Sequence, residues 1–511
     1  MSSSKQPHQE DHPDSEPEML AEDDALEEID ASEDVDVPMD SDDEGEPEEI
    51  NLHNDGVAYF DLHKDSVFAI AQHPTRPTLI ATGGSEGDSD DAPGKGYVFD
   101  TAHVPQRPLL PPNFSGEPPN PPVALDRLFE IDGHTDSINA LTFTYPEGEY
   151  LLSGGMDGKL RAYAVKAAPL QPGAAPSTPA AQIAFLAESQ EVPEINFLSP
   201  CPNGAAHPNV VALGASDGSV WVYQVDGSSD PALQILQSYF LHTGPATACA
   251  WTPDGEMLAT VSEDGSLYVW DVFGTASAAG LKASDNGMSV LALTTADQRF
   301  EVEGGLYSVS ISPTGAVLAV GGAGGAIKVV SLPRIDKNTS AQAGKRRGGP
   351  ASNAIEGGQI LASLHAQGDG VETLSFSQPG AAGGSGTLLA AGSVDGSIAI
   401  YDAARNFQVR RLINGAHGEF SVVKVDFVKA NPHLLTSCGM DGVVRRWDAR
   451  GGVTAGSQQQ TQTGQAGGLL KEWRGHRGDG EGGGVLGFVQ GEAGERVATA
   501  GDDGVVLIFE A

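Results

Sequence analysis

Cysteine, aromatic side chains and basic side chains are all scarce in this sequence of 511 residues. The cysteines, Cys201, Cys249 and Cys438, are too few and too far apart for a disulfide framework or a CxxC metal site. This scarcity excludes a small disulfide-rich secreted scaffold and indicates a reducing compartment. We expect no metal, no cofactor and a cytoplasmic location, with a nuclear pool left open.

Long hydrophobic runs are also missing. No apolar stretch approaches the roughly 18 residues that a membrane-spanning helix needs. The N-terminus is acidic, whereas a signal or transit peptide carries positive charge. The sequence therefore predicts a soluble, intracellular protein that contacts no membrane.

Basic residues are outnumbered by acidic ones throughout, with 29 Lys and Arg against 70 Asp and Glu. The first 50 residues hold 21 of the acids and one of the bases, so the remaining 461 residues carry 28 − 49 = −21. Both parts are acidic, which argues against binding of nucleic acid or anionic membranes. The charge favours a basic protein partner.

Glycine and proline are plentiful, with 65 and 33 copies, and this composition favours many short elements joined by turns. Residues 1–50 have too few apolar side chains to offset the entropy of ordering, so we predict a disordered acidic tail. From residue 57 onward one unit recurs, which indicates a repeat protein. We predict one folded domain over residues 51–511.

Each repeat contains a tight turn, usually Asp-Gly, followed by a strand of β-branched and aromatic residues. Asp-Gly between alternating apolar runs is a strong hairpin signal, because a primed turn needs residues that accept positive φ. Eight copies occur, at 94–100, 156–165, 216–225, 263–272, 323–332, 394–403, 440–449 and 502–511. An alternating strand precedes each hairpin, and a further strand usually ends just before a histidine.

Four strands per unit, closing with Trp270-Asp271 in one copy and Trp447-Asp448 in another, resemble the WD-repeat family of β-propellers. The last unit stops at Ala511 after its third strand. The segment 57–63 can supply the missing outer strand and so remove an open sheet edge. We predict an all-β, eight-bladed propeller closed by this N-terminal strand.

Histidine, Ser or Thr, and Asp recur in a pattern that could suggest a hydrolase triad. Repetition argues against that interpretation, because an active site does not need four copies while each blade needs its turn held in place. The WD-repeat resemblance implies a buried hydrogen-bond network instead. Its predicted members are His134 with Ser153 and Asp157, His242 with Thr260, Asp264 and Trp270, His417 with Thr436, Asp441 and Trp447, and His476 with Thr499 and Asp503.

Acidic residues gather in two kinds of loop that share one face of a propeller: the loop leading into each inner strand and the turn before each third strand. The wider set also includes Asp90, Asp91, Glu194, Glu263, Glu301, Glu481 and Asp502. From it we select ten partner contacts: Glu86, Asp88, Asp136, Glu188, Glu191, Glu303, Asp369, Glu372, Glu419 and Asp479. One interpretation is simple solvation of an acidic surface. The other is a negative bowl that captures a peptide rich in Lys and Arg.

Three segments narrow the resemblance: the acidic leader running into VAYFDLH, the strand GKGYVFD, and the stretch at 241–274. They resemble the WD-repeat group that contains the fungal ribosome-assembly chaperone for the large-subunit protein uL sixteen, older name L ten, and the angio-associated migratory cell protein. The resemblance covers the chain from about residue 50. It implies a monomeric, non-enzymatic chaperone that binds the basic N-terminal segment of newly made uL sixteen, on ribosomes or free, and escorts it to the late pre-60S particle.

A second hypothesis uses the same acidic face for a different client. In that case the protein is a signalling or chromatin scaffold, or a substrate receptor, for another basic protein tail. Blade five departs from the repeat, because Gly324-Gly325 replaces Asp-Gly and no matching histidine is present.

Overall fold

The structure is a computed structural model, and it describes residues 54–87, 89, 92–104, 121–168, 180–284, 287–335, 354–379, 386–450, 468–477 and 483–511. The predicted tail, residues 1–50, lies outside this part of the chain. Within it, eight sheets, antiparallel except for one edge pair, follow one another along the chain as the blades of a propeller. The all-β, eight-bladed prediction is confirmed.

The N-terminal strand is β1 (Ala58–Phe60), which belongs to the last blade, as does β5 (Val123–Ala124). From the inside outward, blade 1 contains β2 (Ala69–Gln72), β3 (Leu79–Ser85), β4 (Gly94–Asp100) and β6 (Arg127–Ile131). Blade 2 contains β7 (Ile138–Phe143), β8 (Tyr150–Gly155), β9 (Leu160–Ala167) and β10 (Ala181–Ser189). Blade 3 contains β11 (Ile195–Pro200), β12 (Val210–Ala215), β13 (Val220–Val225) and β14 (Leu233–Tyr239).

Blade 4 contains β15 (Ala246–Trp251), β16 (Met257–Ser262), β17 (Leu267–Asp271) and β18 (Leu291–Leu293), with the short helix α1 (Thr275–Ala278) before its outer strand. Blade 5 contains β19 (Leu306–Ile311), β20 (Val317–Gly322), β21 (Ala326–Ser331) and β24 (Ile360–His365). The small ribbon of β22 (Arg334–Ile335) and β23 (Ala354–Ile355) lies between the last two of these strands in sequence. A 3₁₀ turn, Ala323–Gly325, precedes β21.

Blade 6 contains β25 (Val371–Phe376), β26 (Leu388–Ser393), β27 (Ile398–Asp402) and β28 (Gln408–Ile413), with a 3₁₀ turn at Ala403–Arg405. Blade 7 contains β29 (Val422–Phe427), β30 (Leu434–Gly439), β31 (Val444–Asp448) and β32 (Leu469–Trp473). Blade 8 contains β33 (Val485–Gln490), β34 (Arg496–Gly501) and β35 (Val506–Glu510), followed by β1 and β5.

The ring is closed by β1, which pairs antiparallel with β35 and places Ala58 opposite Ile508. This confirms the predicted closure by the N-terminal strand. The sequence did not indicate β5, which pairs in parallel with β1 and covers its free edge. Val123 N–H donates to Val57 O at 3.1 Å, and Leu125 N–H donates to Tyr59 O at 2.9 Å. The chain that follows blade 1's third strand therefore holds the closing strand in place.

The core lies between the blades rather than in one central mass. The second strands are the most enclosed, and every residue of β3, β12, β16 and β26 is buried. Large side chains fill the gaps between neighbouring sheets, as where Tyr239 of blade 3 stacks on Trp270 of blade 4 with ring centroids 4.2 Å apart. Within the described ranges, no helix is long and apolar enough to cross a membrane.

We call the face that carries the loops before the inner strands and the turns between second and third strands the upper face. The Asp-Gly turns lie there and need glycine. Gly158, for example, has φ 73°, and a Cβ at this position would lie 2.0 Å from Val192 O in the next loop. These turns fix the positions of the side chains at the upper face.

Candidate functional site

The recurring histidines lie at the upper face, where each connects a loop to the blade that follows it. In blade 2, His134 Nε2 is 2.8 Å from Ser153 Oγ and His134 Nδ1 is 3.1 Å from Asp157 Oδ1. In blade 8, the ring nitrogens of His476 lie 2.7 Å from Thr499 Oγ1 and 3.0 Å from Asp503 Oδ1. These contacts connect the turn of each blade to the loop that precedes it.

Two of the predicted pairings are wrong in detail. His417 Nε2 lies 2.8 Å from Ser437 Oγ, and Trp447 Nε1 donates to the same oxygen at 2.8 Å. Thr436 instead donates to Gln490 Oε1, because neighbouring residues of β30 point to opposite faces of the sheet. The remaining partner of His417 is Asp441, with Nδ1 and Oδ1 2.8 Å apart.

In blade 4, His242 Nδ1 contacts Ser266 Oγ at 2.6 Å rather than the Asp264 carboxylate. Its Nε2 lies 2.8 Å from Thr260 Oγ1, which also accepts from Trp270 Nε1. Asp264 holds the turn through backbone groups, accepting from Thr243 N–H at 2.6 Å. Ser266 directly follows Asp264-Gly265, and a serine at this position is the sequence signal that the histidine contacts a hydroxyl instead of the aspartate.

The turn carboxylates are tied to the fold by hydrogen bonds. Burial alone would raise the pKa of Asp157, but hydrogen bonds from His134 and from the N–H groups of Thr135 and Lys159 outweigh it and lower the pKa to about 2. Burial lowers the pKa of His242 to about 4, so this ring is neutral at pH 7. Both ring nitrogens of His134, His242, His417 and His476 have hydrogen-bond partners within the fold.

Two further networks, in blades 1 and 6, vary the pattern. In blade 1, His63 Nε2 lies 2.9 Å from Thr82 Oγ1, although this blade has no Asp-Gly turn. In blade 6, Gln367 takes the histidine position and donates to Ser397 O at 3.0 Å. His365, two residues earlier, ends the outer strand of blade 5 and is exposed.

A β-bulge at the start of the inner strand shapes the upper end of the channel. In blades 2–8 the register of the first strand pair shifts by one residue at its second position. A bulge re-aims one side chain out of the regular alternation. We call these side chains the bulge ring: Asn139, Asn196, Thr247, Tyr307, Glu372, Val423 and Leu486.

Four members of the bulge ring line an open cavity of about 400 Å³ over blades 3–6. Three carboxylates, Glu194, Glu263 and Glu372, converge on it. The remaining lining residues are Asn196, Ser216, Pro245, Thr247 and Tyr307. We call this site the acidic cavity. Its walls supply oxygen acceptors, which suits a Lys or Arg side chain.

Charge within the acidic cavity is not compensated by the protein. In the described part of the chain, the carboxylates of Glu194, Glu263 and Glu372 accept no hydrogen bond and form no ion pair. Partial removal from water, with the negative charge of Asp369 nearby, raises the pKa of Glu372. A cation placed in the cavity would relieve this repulsion, so the cavity favours positive charge.

Several of the predicted partner contacts are already occupied. Glu86 forms an ion pair with Lys64 at 2.8 Å and accepts from the Tyr97 hydroxyl at 3.2 Å. Glu188 pairs with Arg161. The carboxylates of two further acids are engaged locally, since Asp136 accepts from Ser137 N–H and Asp369 from Gly370 N–H.

The other six predicted contacts divide into four groups. Glu303 and Glu419 are exposed and, in the described residues, carry no hydrogen bond or ion pair. Glu191 is exposed and accepts a hydrogen bond of 3.4 Å from Ser189 Oγ. Asp88 and Asp479 lie outside the described residues. Of the eight predicted contacts that the structure describes, only Glu372 lines the acidic cavity, together with Glu194 and Glu263 of the wider set.

Sequence reasoning missed the neutral polar residues of the cavity, above all Asn196, Thr247 and Tyr307. Their signal is positional, since each is the second residue of an inner strand. No group of three or more His, Cys, Asp and Glu side chains within the described ranges is arranged to hold a metal ion.

Known proteins share this repeat architecture. The WD domain, G-beta repeat family matches at residues 125–163, 233–271 and 409–448. Each match starts near or within the outer strand of one blade and ends in the third strand of the next. The crystal structure of Chaetomium thermophilum Sqt1 is 56% identical, with a TM-score of 0.74, and the alignment covers 90% of this chain and 98% of that one.

The chain belongs to the Sqt1 family of WD-repeat proteins. A Sqt1 structure from the same organism, bound to the N-terminus of the ribosomal protein L10, matches with 56% identity and a TM-score of 0.73 over 90% of this chain and all of that one. The ribosome assembly protein SQT1 of Saccharomyces cerevisiae is 29% identical over 92% of this chain and 90% of its own length. The human angio-associated migratory cell protein is 25% identical over 89% of this chain and 80% of its own length.

Proposed function

We propose that this protein is a ribosome assembly chaperone that binds the basic N-terminal segment of ribosomal protein L10, which is uL sixteen in the newer naming. It holds the newly made client in the cytoplasm, with a nuclear pool left open, and escorts it to the late pre-60S particle. It has no enzymatic activity and needs no cofactor. Residues 51–511 form the binding domain, and residues 1–50 form an acidic tail.

The acidic cavity is the observation that carries this proposal. Three carboxylates without a cationic partner in the described residues converge on about 400 Å³ of open space at the channel. Charge-assisted hydrogen bonds from Lys or Arg would satisfy them, and each such bond contributes roughly 1.5–3 kcal/mol. The crystallised relative bound to the L10 N-terminus supports the identity of the client.

The surrounding acids extend the proposed contact beyond the cavity. Glu303 and Glu419 are exposed, and Glu191 and Asp369 lie on the same face in neighbouring loops. Such a field steers a basic segment toward the cavity and speeds association at low salt. We assign Glu194, Glu263 and Glu372 as the principal client contacts and the other four as steering residues.

Calorimetric titration of the full chain with a synthetic N-terminal segment of L10 tests the function. We expect saturable binding with one segment per chain, weakening as salt rises. Two peptides serve as controls: a scrambled segment of equal composition and a basic histone tail of equal charge. Absence of binding, or equal affinity for the histone tail, would contradict the chaperone assignment and favour the general scaffold.

A capture experiment tests the same function in the cell. Tagged protein is isolated together with translating ribosomes, and the associated messenger RNA is quantified. We expect enrichment of the L10 message over messages for other basic ribosomal proteins. Equal recovery of all of them would contradict a dedicated client.

A further inference from the structure

We propose that the upper face also binds a large apolar side chain of the client, on a site opposite the acidic cavity. This inference rests on the proposed function and deepens it. It assigns a second chemical requirement to the client, beyond positive charge. The site consists of Phe68, Val423 and Leu486, which we call the apolar arc.

The bulge ring changes character around the channel. In blades 2–6 its members are Asn139, Asn196, Thr247, Tyr307 and Glu372, all of which carry polar groups. In blades 7 and 8 the equivalent positions are Val423 and Leu486. One ring of equivalent positions is thus polar on one side and apolar on the other.

Phe68 is the blade 1 counterpart of these residues. Ser85 N–H donates to Ser66 O in blade 1, as Met156 N–H donates to Ser137 O in blade 2, and Phe68 therefore matches Asn139. Inner strand β2 contacts β33, which in turn contacts β29, so the three residues of the apolar arc lie on consecutive blades. The arc spans the consecutive blades 7, 8 and 1.

The apolar arc is open to solvent. Phe68 is 42% exposed, and nearby Phe420, in the loop leading into blade 7, is 38% exposed. Val423 and Leu486 are partly exposed. A group of large apolar side chains at a channel mouth is typical of an interaction surface, because isolated exposed residues would be scattered. The fold does not require apolar residues at these positions, because Asn139, Asn196 and Thr247 occupy the equivalent positions in blades 2–4.

The occupant follows from continuity with the acidic cavity. A peptide with a Lys or Arg side chain in the cavity advances about 3.3 Å per residue when extended, so residues a few positions away reach the other side of the channel mouth. A large apolar or aromatic side chain there would be removed from water by Phe68 and Leu486. The preferred client is a basic segment that has a large apolar residue a few positions from its Lys or Arg. A purely basic tail would occupy the acidic cavity but not the apolar arc.

Two peptides and one double variant test this inference on the full chain. The peptides are the natural L10 N-terminal segment and a copy with each large apolar residue changed to Ser at unchanged charge. The variant is Phe68→Asn with Leu486→Asn, which installs the side chain that blades 2 and 3 already have at this position. We expect wild type to bind the natural segment about tenfold more tightly than the copy, equivalent to about 1.4 kcal/mol.

The double variant should lose this tenfold preference and bind both peptides as wild type binds the copy. A matched control, Val409→Asn with Leu470→Asn, changes two apolar side chains that are 44% and 55% exposed on outer strands, and should behave as wild type. Equal affinity of wild type for both peptides would overturn the inference, even if the variant misfolds. Lack of any binding to the natural segment would instead overturn the proposed function.

Discussion

The upper face carries acidic side chains over blades 1 and 2 and again over blades 3–6, but the two regions treat them differently. Over blades 1 and 2 the acids are paired: Glu86 with Lys64, Glu130 with Lys95, and Glu188 with Arg161. Over blades 3–6, Glu194, Glu263 and Glu372 share a cavity and, in the described residues, have no such partner. Both regions carry negative formal charge, but only the carboxylates over blades 3–6 are left without a cationic partner in the described residues.

If the acidic cavity binds the client as proposed, compensation rather than the number of acids decides where the client binds. An exposed ion pair contributes little to stability, yet it lowers the local field that a client would meet. Converging carboxylates without partners have the opposite effect, because their mutual repulsion is relieved only by an added cation. On the same proposal, the net charge of −41 steers clients over long range, while a few unpaired carboxylates fix where a client binds.

The strongest test replaces three acids in each region. Glu194→Gln, Glu263→Gln and Glu372→Gln together should weaken binding of the L10 segment at least about 100-fold, since three charge-assisted contacts are lost. Glu86→Gln, Glu130→Gln and Glu188→Gln remove the same formal charge from paired acids and should weaken binding less than about fivefold. Isothermal titration at 150 mM salt measures both.

Thermal unfolding of the same proteins is the control, and both triple variants should melt within about 2 °C of wild type. Equal losses of affinity in the two triples would contradict the comparison, because they would show that total charge rather than pairing governs binding.

A second test separates acids that hold the fold from acids that do not. Asp157→Ala removes hydrogen bonds to His134 and to the N–H groups of Thr135 and Lys159, and should cost about 3 kcal/mol of stability. Glu194→Ala should leave the melting temperature unchanged. The pKa of Asp157 is lowered from 3.8 to about 2 on folding, so its contribution is complete at pH 7 and disappears as the pH falls from about 4 through 2.

Differential scanning fluorimetry across this pH range checks the sign. Stability of the Asp157→Ala variant should converge with that of wild type near pH 2. A constant gap between the two proteins at all pH values would contradict the assigned role of the carboxylate.

Repeat spacing was enough to predict the blades, because alternation and Asp-Gly turns are local signals. The closing role of residues 57–63 followed from counting strands at the two ends. The strand β5 was missed because two residues, Val123 and Ala124, carry no pattern and pair only through the backbone. Thr436 was chosen over Ser437 because a register error of one residue moves a side chain to the other face of the sheet.

The candidate site was harder to predict than the fold. The face was inferred from topology, but the state of each acid depends on contacts that are distant in sequence, such as Lys64 with Glu86 and Arg161 with Glu188. The cavity depends on bulges, which re-aim Tyr307 and Glu372 and leave no mark in composition. Ion pairs and bulges both depend on tertiary packing. The sequence alone could therefore indicate only the wider set of acids on the upper face.

A smaller effect is expected when pH changes the charge of the cavity. The pKa of Glu372 is raised by partial removal from water and by the charge of Asp369, so it protonates at higher pH than an ordinary glutamate. A bound cation favours the ionised form, and affinity should therefore fall about threefold as the pH is lowered through the raised pKa. Titrations between pH 7 and 4.5 measure this. Glu372→Gln should flatten the profile in this range, whereas Glu303→Gln, which changes an exposed acid, should not.

The smallest expected effect comes from removing the cationic partner of one paired acid on blade 2, so that this acid resembles those over blades 3–6. Arg161→Gln would release Glu188 on blade 2, at the cost of the contact between the guanidinium and the Phe185 ring at 4.5 Å. We expect the affinity for the L10 segment to rise about twofold at low salt and the gain to vanish at high salt, because the freed charge is exposed. Arg450→Gln, which breaks the pair with Asp448 at the opposite end of a third strand, changes the net charge equally and should have no effect. An equal gain in both variants would mean that overall charge attracts the client, and the distinction between paired and unpaired acids would then fail.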